Sequence, residues 1–254
     1  MTSNDKGLAE TPLTVPPGSP RTTRGGSRED RWCRPGALDN PIRRWFAPPS
    51  RDLNRVDIRP GQVVADMGTG VGFYLPEILR RIGRTGRVYA VDPDPENLEI
   101  SRRRTGNDPR VTYLLTGADD LSGIPEGSVD RALLILSLCC LVDKRGTLSE
   151  TWRILRPGGQ ALVVYPRVSR RRGLGVSRAV WEVLVSEHPW QVHPAGHSLG
   201  VRRWRLMRSV PGGLRGNLPE GYSPTRGPSR DPTAGGARLD QARRGGPEGI
   251  NLSP

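Results

Sequence analysis

Apolar positions change their period again and again between residues 62 and 207, and the changes predict an alternation of strands and helices. A short apolar run, Gln62 to Met67, follows the Pro60-Gly61 turn and predicts a strand. Leu75, Ile78, Leu79 and Ile82 then recur at i, i+3, i+4 and i+7, with Pro76 in the first turn and Gly83 as the stop, so a helix follows. Arg87 to Asp92 predicts a second strand. The next helix opens on Asp94 and Pro95, carries Glu96 early and Arg102, Arg103 and Arg104 late, and stops near Gly106, its charges arranged along the helix dipole. Val111 to Thr116 is a third strand. Arg131 to Leu138 is unbroken apolar, as a central strand covered on both faces requires. Thr147 and Glu150 stand in capping-box spacing ahead of Leu148, Trp152 and Leu155, and "RPGG" ends that helix before a fifth strand from Gln160 to Tyr165. Ser177 to Glu187 is helical in pattern, and Val201 to Met207 is expected as a final, antiparallel edge strand. Alternation of this kind predicts an α/β fold with a mostly parallel, doubly wound sheet.

Composition separates this middle from its flanks. Residues 1–39 and 211–254 are dense in Pro, Gly, Ser and Arg without apolar periodicity, so they are expected to be disordered around a single folded domain, residues 40–210. Charge divides the same way: residues 51–166 are near balance at +1, against +3 before them and +9 after them, within a total of +13. Three cysteines, Cys33, Cys139 and Cys140, cannot form an even disulfide framework and match no zinc spacing, which suits a reducing compartment. The N-terminal stretch has neither a secretory core nor the acid-poor character of a transit peptide, and a cytoplasmic protein is expected. The longest apolar run, from Ala132, has 11 residues, about half of what a membrane span needs.

The most informative stretch is "VVADMGTGVGFY", residues 63–74. In a doubly wound sheet the loop after the first strand borders the ligand crevice. A dinucleotide fingerprint would place a third glycine at position 73, where this chain has Phe73. The spacing Asp66, Gly68, Gly70, Gly72 instead resembles the D/E-x-G-x-G-x-G motif of class I S-adenosylmethionine-dependent methyltransferases, whose fold is Rossmann-like. Asp92 at the end of the second strand, "IPEGSVDRALLILSL" and "RILRPGGQALVV" are also similar to that family, and "NPIRRWFAPP" from Asn40 resembles the lead-in helix of its quinone-methylating branch. The resemblance runs from about Asn40 to Tyr165. It implies S-adenosyl-L-methionine as cofactor and a small-molecule acceptor. It also implies that Gly68, Thr69, Gly70 and Gly72 form the cofactor loop, that Asp66 helps hold the methionine ammonium, and that Asp92 accepts the ribose hydroxyls. Ala118 and Asp119 would read the adenine edge, and Leu136 and Ser137 would line the methyl side. One departure stands out: the family's usual adenine-contacting acid falls where this chain has Gly117, so either Asp119 substitutes or backbone and packing hold the base.

Other features are weighed against plainer roles. Asp119 and Asp120 precede Gly123 and Pro125 and equally suit a turn. Cys139 and Cys140 raise the idea of a bound metalloid, but adjacent strand residues point to opposite faces, so the thiols are expected to diverge and pack as small hydrophobes. No metal site is expected: His188, His193 and His197 lack an acidic partner at helical spacing. No general base is evident. The Arg-rich flanks, including "SRRRGLG" from Ser169, keep a nucleic-acid acceptor open as an alternative, although they lack aromatic interleaving and any recognised module. A cofactor-binding regulatory protein without turnover is the remaining alternative.

Overall fold

The computed structural model describes residue 14 and residues 48–141, 143–166, 176–198 and 200–210. Helix α1 (Pro49–Leu53) leads into β1 (Val63–Met67), α2 (Leu75–Ile82), β2 (Arg87–Asp92), α3 (Pro95–Arg104) and β3 (Val111–Leu115). Then come β4 (Val129–Ile135), α4 (Lys144–Ile154), β5 (Leu155–Pro166), α5 (Arg178–Ser186), β6 (Trp190–Ser198) and β7 (Val201–Arg208). The sheet order is β3-β2-β1-β4-β5-β7-β6. Strands β3 through β5 are mutually parallel, whereas β7 runs antiparallel to both β5 and β6. The chain direction across the sheet therefore reverses between β1 and β4, and the crevice of such a sheet lies at that reversal.

Two layers of side chains hold the sheet between helices. Along β4, Ala132 and Leu134 enter one cluster with Leu148 and Ile154 of α4 and Trp181 and Leu184 of α5. Leu133 and Ile135 enter the other, with Leu53 of α1, the four periodic residues of α2 and Leu98 of α3. A strand buried on both faces must be apolar at every position, and β4 is buried at all but one of its seven.

The α2 stripe and the Asp94 cap of α3 agree with the pattern: Leu75, Ile78, Leu79 and Ile82 are buried, and Asp94 accepts from Glu96 N at 2.9 Å. Four boundaries differ. Strand β4 stops at Ile135, and Leu136 takes φ 60°, so residues 136–140 have left the sheet. Helix α4 starts at Lys144 with Asp143 as its cap, accepting from Gly146 N at 2.8 Å. The capping box is not formed, because Thr147 Oγ1 donates back to Asp143 O at 2.7 Å and Glu150 instead accepts from Leu121 N at 2.8 Å. Strand β5 begins at Leu155, absorbing "RPGG" through a register shift opposite Val129 and Arg131. Finally, Val201–Arg208 is not the edge: β6 is outermost, and β7 lies between it and β5. Strand β6 escapes the pattern because Pro194 and Gly196 interrupt it where its register shifts.

A buried ion pair ties the front of the domain to its last strand. Arg203 Nε of β7 reaches Asp52 Oδ1 of α1 at 2.7 Å, and Tyr74 OH donates to Asp52 Oδ2 at 3.1 Å. At Thr14 the chain also bridges the β3 edge, with Thr14 N donating to Tyr113 O at 3.0 Å and Leu115 N to Thr14 O at 3.1 Å. The segment from Asn40 to Ala47 and the expected C-terminal tail, residues 211–254, lie outside the described residues.

Candidate functional site

The glycine loop is clamped onto the end of β2. Gly68 N and Thr69 N both donate to Val91 O, at 2.8 and 2.9 Å, and Gly70 N donates to Asp92 Oδ2 at 2.8 Å. Gly68, Gly70 and Gly72 have φ of 74°, 54° and 72°, the left-handed region that side chains disfavour. Space enforces the same choice at two of them. A Cβ on Gly68 would lie 2.5 Å from Ser137 Cβ, and one on Gly72 would lie 2.7 Å from Ser101 Oγ. Gly68 therefore lets the β1 loop close on the β4 loop, and Gly72 lets it close on α3.

Two carboxylates face this loop. Asp66 is buried and accepts from Thr69 Oγ1 at 2.7 Å. No basic side chain among the described residues pairs with it. Burial pushes its carboxyl up to about 6, the neighbouring charge of Asp92 adds to the rise, and the Thr69 bond opposes it. Asp92 is buried as well. Its Oδ1 accepts from Asp94 N at 3.0 Å and Asn97 Nδ2 at 3.2 Å, while Oδ2 holds Gly70 N. Burial raises its pKa, and those three donors pull the other way. A carboxylate offers about four acceptor positions, so about one is left for a further donor. The two-hydroxyl grip expected from the sequence requires Asn97 or Gly70 to yield a bond.

The remaining expected residues are set further along the strand ends. Leu136 is half-buried; Ser137 is buried and its Oγ has no hydrogen-bond partner. Ala118 is buried after β3, and Asp119 beside it is exposed. A Cβ built on Gly117 would lie 2.3 Å from Asp119 Oδ1, so the Asp119 carboxylate occupies the space that a side chain at 117 would need. Asp66, Gly68, Thr69, Gly70, Gly72, Asp92 and Ser137 are thus interlocked, whereas Ala118 packs in the core with Met67 and Val91, and Asp119 lies against Gly146 of α4. Two of the histidines are engaged elsewhere: His188 stacks on Trp152, and His193 of β6 pairs with Arg205 of β7.

Two residues missing from the sequence reading lie against the same loop, Asn97 on Asp92 and Ser101 beside Gly72. Asn97 and Ser101, one turn apart on α3, present buried oxygens, Asn97 Oδ1 and Ser101 Oγ, that lack partners among the described residues. Their signal was the i, i+4 pair of polar residues flanking Leu98 on the buried face. Together with Ser137 Oγ they leave three unsatisfied acceptors around a loop of left-handed glycines, and buried polar groups of this kind suit a ligand rich in N–H and O–H donors. Phe73, at the position a dinucleotide fingerprint reserves for glycine, is buried edge-to-face on Tyr74, 5.2 Å between ring centroids. A separate hollow of about 440 Å³, lined by Pro76, Leu79, Arg80, Arg84, Arg104 and Arg110, lies towards the C-terminal ends of α2 and α3. Its arginines have local work: Arg80 pairs with Glu77 at 2.7 Å, and Arg110 pairs with Asp108 at 2.6 Å and donates to Gly83 O at the end of α2.

Residues 65–163 match a family model described as a methyltransferase domain. A ubiquinone/menaquinone biosynthesis C-methyltransferase of Hydrogenovibrio crunogenus is 34% identical over 110 residues, covering 42% of this chain and 43% of that protein. An uncharacterized 37.1 kDa protein of a Streptomyces fradiae transposon is 35% identical over 116 residues, covering 45% and 33%. The matched stretch spans less than half the length of either relative. Among solved structures, a SAM-dependent methyltransferase from Aquifex aeolicus superposes with a TM-score of 0.60 at 23% identity, over 68% of this chain and 96% of that one. A Haloferax volcanii putative methyltransferase, solved with its activator, gives 0.61 at 18% identity, over 73% and 100%. These likenesses establish a shared fold.

Proposed function

From the premise that the chain carries a class I S-adenosylmethionine-dependent methyltransferase domain, we propose that residues 40–210 bind S-adenosyl-L-methionine at the carboxyl ends of β1 and β2 and transfer its methyl group to a small-molecule acceptor. The observation that carries this reading is the clamped loop of three left-handed glycines between two buried carboxylates, beside the reversal in strand order. When bound, this cofactor supplies a methyl group already activated by sulfonium charge. The chain's own residues then have to bind, align and exclude water, which accounts for a site without an evident general base.

The residues present fit the cofactor. Asp66, buried without a cation, suits an ammonium group, whose charge would return the carboxyl to its ordinary acidity. Asp92 takes a ribose hydroxyl in its remaining acceptor position, and Asn97 Oδ1 stands beside it as a further acceptor. Asp119, filling the space beside Gly117, takes the adenine contact with the backbone of Ala118. Leu136 and Ser137 border the methyl side. Relatives named for quinone C-methylation favour a small apolar acceptor, and the cysteine usage favours the cytoplasm. No helix of the described residues is long and apolar enough to cross a membrane.

Calorimetric titration with S-adenosylhomocysteine tests the binding. Asp92→Ala should weaken it by about 1–3 kcal/mol, as loss of a hydrogen bond to a buried charged group does. Unchanged affinity in that variant would remove Asp92 from the site.

A further inference from the structure

Half of the residues lining the hollow at the C-terminal ends of α2 and α3 are arginines, and none is acidic. The hollow lies where β2 and β3 begin, since Gly83 and Arg84 lead towards Arg87, and Arg110 immediately precedes Val111. The glycine loop belongs to the opposite, carboxyl end of the sheet. At about 440 Å³ the hollow has the size of a small-molecule site, for which about 300–1,000 Å³ is usual.

Arginines at a helix end ordinarily serve the carbonyls there. Here much of that task is already done. Arg110 Nη1 donates to Leu79 O and Gly83 O, at 3.2 and 2.6 Å, and Gly61 N donates to Ile82 O at 2.7 Å. On α3, Thr105 N, Asn107 N and Gly106 N donate to Ser101 O, Arg102 O and Arg103 O. The adjoining carboxylates are committed too. Glu77 is shared by Arg80 and Arg81, whose guanidiniums hold its carboxyl down at about 2, and Asp108 is paired with Arg110. Arg84 is exposed and makes no ion pair or hydrogen bond with the described residues. Four guanidiniums are thus matched by two carboxylates, which leaves two positive charges before Arg104 is counted.

The donors to use that charge are present. A guanidinium carries five N–H groups; Glu77 takes two from Arg80, and Arg84 keeps all of its own. Planar forks of this kind match the oxygens of a phosphate, and a phosphomonoester carries about −1.5 to −2 at neutral pH. Pro76 and Leu79 give the same hollow an apolar wall that a bare oxyanion would leave uncovered.

We propose that this hollow binds a small organic phosphomonoester, its phosphate on Arg80 and Arg84 and its organic body on Pro76 and Leu79. The inference is independent of the methyl-transfer reading, because neither the glycine loop nor its two carboxylates contribute to the lining.

The probe is 1-naphthyl phosphate, titrated calorimetrically into the full chain in phosphate-free buffer at low salt. One molecule per chain should bind. Its affinity should exceed by at least about 10-fold that of orthophosphate, which lacks the body, and that of 1-naphthyl sulfate, which carries less charge. Arg84→Gln should weaken binding by at least about 10-fold, the scale of a lost hydrogen bond to a charged group, whereas Arg226→Gln, in the C-terminal tail, should change nothing. Saturating S-adenosylhomocysteine should leave the titration unaltered, which separates this hollow from the cofactor crevice. Equal affinity for orthophosphate or for naphthyl sulfate would overturn the proposal. So would an Arg84→Gln variant that binds like wild type, an equal loss in Arg226→Gln, or displacement by S-adenosylhomocysteine. Because Arg84 is exposed and holds no other described residue, its replacement alters the hollow and leaves the fold intact.

Discussion

Asp52 and Asp66 are almost equally hidden from solvent, at 5% and 2% exposure, yet their surroundings are opposite. Asp52 sits in the seam between α1 and β7, where Arg203 compensates its charge at 2.7 Å and Tyr74 fills its other oxygen. Asp66 sits below the glycine loop with the Thr69 hydroxyl, the like charge of Asp92 and no cation among the described residues, and its proton is held far more tightly than usual. A buried acid with its own cation belongs to the architecture. A buried acid without one raises the free energy of the apo fold and is useful only if something else supplies the missing positive charge. The contrast separates residues that hold the domain together from residues it keeps for a ligand.

Four substitutions break or sharpen that contrast. The largest effect falls on the seam: Arg203→Met leaves Asp52 buried and uncompensated, at a cost of about 3–5 kcal/mol in denaturant unfolding. Adding Asp52→Asn should recover much of it. Asp66→Asn goes the other way. A carboxyl raised from 3.8 to about 6 makes the folded state the tighter proton binder, so its contribution falls as pH rises through that window and is least favourable above it. The Asn variant should therefore be about 3 kcal/mol more stable at pH 7, and should lose the wild-type slope between about pH 4 and pH 6. Its affinity for S-adenosylmethionine should drop at the same time. A variant no more stable than wild type would show that Asp66 is not carrying an uncompensated charge.

Gly68→Ala adds a left-handed alanine and a 2.5 Å approach to Ser137, so a loss of about 1–3 kcal/mol is expected by thermal unfolding. Ser137→Gly in the same chain should return part of it by removing the colliding Cβ. The smallest effect belongs to Asp119→Asn. Its side chain is exposed, so stability should hold within about 0.5 kcal/mol while cofactor affinity falls a few-fold. If affinity is untouched, the base is held by backbone and packing.

Much of this was legible because local chemistry and tertiary position coincide in the parallel half. The apolar run of β4 announces burial on both faces, and glycines at 68, 70 and 72 are needed for backbone conformation wherever the loop lies. Asp66 and Asp92 could be placed because parallel strands bring successive carboxyl ends to one edge. Residues whose roles depend on distant partners were not legible. Strand β6 is broken by Pro194 and Gly196 and gains its identity only by pairing with β7. Glu150 follows Thr147 at capping-box spacing but is diverted to Leu121 N. Asn97 looks like an ordinary first-turn residue until Asp92 is folded beside it. The thiols were expected to diverge by strand alternation, but β4 ends at Ile135 and the turn after it brings Cys139 Sγ and Cys140 Sγ to 3.6 Å.

The insertion of β7 between β5 and β6 also fixes the order in which this domain can be finished. Until residues 201–208 leave the ribosome, the hydrogen-bonding groups that Gln160 to Pro166 offer to β7 have no permanent mate, and the buried strand β5 presents an open flank. A nascent chain paused between Pro166 and Val201 is thus the species most exposed to rescue by chaperones or to loss by self-association. Synonymous codons that slow synthesis in that interval should lower yield without altering a single contact of the finished protein.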